Sequence, residues 1–84
     1  MRVYCEVKST DAGWWPFKEG HDVNIGDVFT LKKIVYGSSY TVIYLNEREE
    51  PLNSIQFDFL DVDMNVIDIY NIDFMNKLIE QGLS

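Results

Sequence analysis

The chain has 84 residues, with 14 acidic and 7 basic side chains, one His and one Cys, and 46% of its residues are apolar. That length holds one domain, and the apolar fraction argues against disorder, because such a chain buries enough surface to offset its ordering entropy. A single Cys excludes an internal disulfide framework. No run approaches the ~18 apolar residues of a membrane span, and the start MRVYCEV does not read as a signal peptide. The expectation is a soluble, cytoplasmic, single domain over residues 1–84.

The charge is lopsided. Residues 1–45 carry five acids and five bases, whereas residues 46–84 carry nine acids against Arg48 and Lys77, so the net charge of −7 belongs to the second half. Nucleic-acid binding rests on clustered Lys and Arg that neutralise phosphates. Here the only adjacent basic pair is Lys32-Lys33, so direct DNA or RNA binding is not expected. The acids Glu47, Glu49, Glu50, Asp61 and Asp63 read either as a solubilising surface or as an imitation of a phosphate backbone that occupies a basic groove on a partner.

Along the chain, Val3, Cys5 and Val7 alternate with Arg2, Tyr4, Glu6 and Lys8, the period of a half-buried strand. Residues 9–26 break that pattern with Gly13, Gly20, Gly26 and the run Trp14-Trp15-Pro16-Phe17. A connection of this length in so short a chain suggests a functional loop. Residues 27–36 resume β character and slip at Lys32-Lys33, which predicts a bulge. Gly37-Ser38 reads as a two-residue hairpin turn with positive φ at the glycine. In the return strand, Thr41, Ile43 and Leu45 share one face and Tyr40, Val42 and Tyr44 the other.

Residues 46–53, with Pro51, read as a loop. Residues 54–60 read as a strand with Ile55, Phe57 and Phe59 inward and Gln56 and Asp58 outward. After a polar turn, residues 66–70 read as a short strand. The spacing of Phe74, Met75, Leu78 and Ile79 predicts a helix over about 73–81, capped by Asn71 or Asp73 and ended by Gly82. The predicted fold is mainly β: a small five-stranded antiparallel SH3-like barrel with a short C-terminal helix. An oligonucleotide-binding barrel is the alternative, but residues 46–53 leave no room for its usual helix.

The stretch Phe29–Phe59, read as F-x-L-x-x-I-x-x-G-x-S-Y-T-x-x-Y-L and then L-N-S-I-Q-F-D-F, resembles small proteins of phages and prophages of Gram-positive bacteria. With Ile67-Asp68-Ile69-Tyr70 the resemblance extends to Tyr70. It implies a compact SH3-like barrel with an N-S-x-x-F-x-F strand, and it transfers no functional residue. The peptide-binding A-L-Y-D-Y motif of eukaryotic SH3 domains is replaced by Asp22-Val23-Asn24-Ile25, which argues against proline-peptide recognition.

Catalytic and metal constellations are thin. Asp61, Asp63 and Asn65 have the alternate spacing of a calcium loop, but Val66 and Ile72 stand where Gly and a bidentate Glu belong. An Asx-type turn is the simpler reading, and an adventitious cation site would draw on these residues and Asp68. Cys5 would need His21 as its base, yet it lies on the apolar face of a strand. No cofactor and no enzymatic activity are expected. The expected function is protein binding through the aromatic loop (Trp14, Trp15, Phe17) and the outer tyrosines Tyr40 and Tyr44, with an acidic rim, toward a basic protein partner; the alternative is that the tryptophans cover the barrel's open end and its Tyr-rich face. The terminal helix is expected to pack over one end of the barrel, a helix that leaves it would make a homodimer contact instead, and no membrane association is expected.

Overall fold

A computed structural model describes residues 2–10 and 23–82. Five strands, β1 (Tyr4–Val7), β2 (Val28–Tyr36), β3 (Thr41–Leu45), β4 (Leu52–Asn53) and β5 (Phe57–Leu60), form one antiparallel sheet in the order β4-β3-β2-β1-β5. A single helix, α1 (Ile72–Gln81), follows. The mainly-β class and the terminal helix are as the sequence predicts. Closure is not: β4 and β5 form the two ends of the strand order, so the sheet is open rather than a hydrogen-bonded barrel.

The slip at Lys32 has a clear structural role. Leu31 pairs with Leu45 and Lys33 with Tyr44, so two steps on β2 oppose one on β3 and Lys32 is the extra residue. With that insertion, Leu31 and Ile34 both stay on the buried face, where strict alternation would expose one of them. A bulge bends its strand. Here β2 pairs with β1 over Val28–Thr30 and with β3 over Leu31–Tyr36, serving two ladders in turn.

The core gathers Val3, Cys5 and Val7 of the first strand segment, Leu31 and Ile34, Ile43 and Leu45, Leu52, Phe57 and Phe59. Met75 and Leu78 of α1 complete it, while Phe74 and Ile79, which flank them on the helix, stay exposed. The Asn71 side chain accepts the Phe74 N–H at the helix start, and Gly82 ends the helix at φ 88° with its N–H on Ile79 O.

Four expectations about local structure are corrected. Leu52–Asn53, read as loop, is the fourth strand, paired to Val42 and Ile43. Ser54–Gln56 is one 3-10 turn rather than strand, capped by the Asn53 side chain on the Ile55 N–H at 3.3 Å. At three residues per turn the alternation loses its phase, so Ile55 is 52% exposed and Gln56 0%. Residues 66–70 contribute a single bridge, Leu60 to Val66, because the Asp68 carboxylate takes the Tyr70 N–H at 2.9 Å and turns the chain away.

The β2–β3 turn spans residues 37–40, since Tyr36 and Thr41 are the last pair. Gly37 is required there by closeness, not by positive φ. Its N–H donates to Tyr40 O at 3.0 Å, and a Cβ would lie 2.5 Å from that oxygen.

Candidate interaction surface

The predicted aromatic site is only partly placed: Trp14, Trp15 and Phe17 lie outside the described residues, as does His21. Tyr44 is half-buried on the outer side of β3, where the period of two sets it with Val42, and Tyr40, also half-buried, is the last residue of the turn before that strand. The Lys33 ammonium lies 5.6 Å from the Tyr44 ring centroid, a cation–π distance, so this ring already holds one cation.

The acids divide between two turns. In the turn after β3, both carboxylate oxygens of Glu47 accept the Thr30 N–H, at 2.9 and 3.2 Å, while Glu50 accepts from Arg48 Nε at 2.9 Å. Glu49 faces solvent. Lys32, Tyr44, Glu47, Arg48 and Glu49 line an open depression of about 420 Å³ whose walls carry both signs of charge. In the turn after β5, one Asp61 oxygen accepts from the N–H groups of Asp63 and Asn65, each at 2.9 Å, and Met64 takes φ 65°. The Asx reading of this segment is therefore the observed one, with Asp63 exposed.

Cys5 is fully buried. Burial pushes its thiol well above the ordinary value, and the negative charge of Glu47 adds to the shift. A thiol in that state carries almost no thiolate at neutral pH, so it is a poor nucleophile.

A second concavity escaped the sequence reading. It lies between Ser54–Phe59 and Val66–Tyr70, with a volume of about 290 Å³. The signal that would have found it is the Asp68-x-Tyr70 turn, which stops the last segment from pairing along β5. Tyr36 ties that segment down: its hydroxyl donates to Ile69 O, and its ring meets Tyr70 edge-on at 6.3 Å between centroids. Burial, with the nearby Tyr70 and Asp68, raises the Tyr36 hydroxyl pKa.

The fold and its surface thus define a small antiparallel β protein in which Glu47, Asp61 and Asp68 are spent on its own turns and edges. Beyond that class, the chain belongs to the family of Bacteriophage T4 protein Y07B, whose model matches residues 2–81, and it is a phage protein in that sense. The family's name carries no activity, and the match bears on neither the barrel type nor the Gram-positive hosts of the resemblance. No curated protein and no solved structure matches the chain. Among the described residues, no helix is long and apolar enough to cross a membrane.

Proposed function

We propose that this phage protein is a non-enzymatic interaction module, built on an SH3-like frame, that holds a basic protein partner in the cytoplasm of a Gram-positive host. The SH3-like part of the reading is supported by the strand order, by the long connection between β1 and β2, and by the single 3-10 turn before β5. The binding part rests on one observation above others. Tyr44, on the outer side of β3, borders a depression whose rim includes Glu47 and Glu49, and Lys33 already sits at cation–π distance from its ring. A partner offering Arg or Lys competes for that ring and those carboxylates. Trp14, Trp15 and Phe17 are the further aromatic residues that the sequence assigns to this binding.

Affinity capture from a Gram-positive lysate, comparing wild type with Trp14→Ala, Trp15→Ala and Tyr44→Ala, tests it. At least one variant is expected to lose a captured protein tenfold or more. Equal recovery by all four proteins overturns the aromatic anchor.

The second reading, an acidic nucleic-acid mimic that inhibits a DNA- or RNA-binding protein, is favoured by the nine acids against two bases in residues 46–84. It requires steep salt dependence and loss of inhibition on changing Glu47, Glu49, Glu50 and Asp61 to Lys. Binding that is flat in salt discards it.

A further inference from the structure

β5 is an edge strand. β1 covers one side of it, and on the other the only bridge among the described residues is Leu60 to Val66, followed by the Ile67 N–H donating to Phe59 O at 2.7 Å. The chain then leaves the edge, because the Asp68 carbonyl takes the Asn71 N–H at 3.1 Å while its carboxylate takes that of Tyr70. The wedge left open is the groove of about 290 Å³. Buried Phe57, Phe59 and Ile69 and half-buried Ile67 line it, and its other apolar residues face solvent: Ile55 is 52%, Val66 73% and Tyr70 60% exposed.

Two features select the occupant. Small-molecule pockets run from roughly 300 to 1,000 Å³ and enclose their ligand. This groove sits at the bottom of that range and is open, which suits one or two side chains of a longer chain. Its charge is the second feature. Asp58 and Asp68 line it, and the only lining cation among the described residues, Lys8, is already 3.5 Å from Asp58. On this side of β5 the Phe57 N–H donates to Ser54 O and Phe59 O accepts from Ile67, so an extended segment is held by alternate side chains entering the groove rather than by a new ladder.

We propose that this groove takes an extended segment of a protein partner in which Lys or Arg alternates with aliphatic residues. The aliphatic side chains fill the wedge over Phe57 and Phe59, the cationic stems lie on Val66 and Tyr70, and their heads reach Asp68 and Asp58. The proposal rests on the interaction-module reading but uses none of Trp14, Trp15 and Tyr44.

The test is an NMR titration of the full-length ¹⁵N-labelled chain with three synthetic peptides of equal length: alternating Lys–Val, alternating Lys–Gly, and alternating Glu–Val. The Lys–Val peptide is expected to shift the amides of Ile55, Val66, Ile67 and Tyr70 saturably. Lys–Gly is expected to bind at least tenfold more weakly, and Glu–Val not at all. Val66→Lys is expected to weaken Lys–Val at least tenfold. Asp68→Asn, which keeps the turn acceptor and removes the charge, is expected to weaken it three- to tenfold.

Equal binding of Lys–Val and Lys–Gly, with shifts spread over residues 47–50 and 61–63, means diffuse charge attraction and overturns the groove. So does the absence of binding by every peptide. Concentration-dependent broadening of the same amides without peptide assigns the groove to a second copy of the chain and overturns the proposal as well. Capture that is lost in Trp14→Ala or Tyr44→Ala while no peptide binds is a failure of the groove alone, whereas equal capture by those variants with Lys–Val binding intact is a failure of the general reading alone.

Discussion

Glu47 closes the exposed edge of β2 by placing both of its carboxylate oxygens on the backbone N–H of Thr30. Thr30 lies one residue before the β3 ladder begins at Leu31, and its carbonyl is taken by the Asn46 N–H at 2.9 Å. A turn residue thus supplies the pairing that a neighbouring strand would otherwise give. Unpaired strand edges template association with other chains. Glu47→Ala is expected to lower stability by about 1 kcal/mol and to shift the protein toward larger species. Glu47→Gln, which keeps an acceptor, is expected to do neither. Size-exclusion chromatography with light scattering, paired with urea unfolding, distinguishes the three proteins.

Cys5 makes a pH-dependent prediction with a definite sign. The folded thiol titrates above its unfolded value of 9.0. Below that value both states hold the proton and the group adds no pH dependence. Above it the unfolded chain releases the proton first, so stability falls as pH rises. Between pH 8 and pH 10 wild type is expected to lose about 1 kcal/mol more than Cys5→Ala, by urea unfolding of both proteins. The same burial predicts that a thiol reagent labels Cys5 only as fast as the protein unfolds.

Gly37→Ala is expected to cost about 1–3 kcal/mol, because the added methyl meets backbone rather than a movable side chain. The cost shows in the urea midpoint without a change in slope, since the sheet beyond the turn is intact. Ser38→Ala, one residue further along the same exposed turn, is the control and is expected to stay within about 0.5 kcal/mol of wild type.

Gln56 is a polar side chain in an apolar place. Its Nε2 donates to Ser9 O at 3.4 Å, and its Oε1 is buried with no donor among the described residues. Gln56→Leu, which keeps the volume and removes the unmet acceptor, is expected to lie within about 1 kcal/mol of wild type. Gln56→Ala leaves a cavity and is expected to cost about 2–3 kcal/mol. Thermal unfolding that ranks Leu below Ala reverses the argument.

The elements legible in the sequence are those whose signal is local. Val3-Cys5-Val7 and Thr41-Ile43-Leu45 announce strands by period, the slip at Lys32 announces the bulge, and Asn71 and Gly82 mark the helix ends. Leu52–Asn53 has no period to read at two residues, and it is strand only because β3 offers it an edge. Ile55 to Phe59 look like one continuous alternation until a 3-10 turn resets the phase at Phe57.

The surface was harder to read for the same reason. Glu47 reaches a partner seventeen residues away, and Asp61 spends its carboxylate on its own turn. A count of acids along the sequence cannot separate those from Glu49, which is left to solvent. The groove beside β5 depends on where residues 66–70 stop pairing, a non-local outcome of one Asp68 turn.

The position of β1 sets the order in which the molecule can be made. Tyr4 stands opposite Thr30 on one side and Leu60 on the other. A ribosome delivers β1 first and its second neighbour after every other strand. The β2–β3 hairpin has its contacts within reach early, but β1 keeps a bare flank until Leu60 has cleared the exit tunnel. Completion of this sheet therefore waits for β5, and until it arrives β1 is an open edge of the nascent sheet.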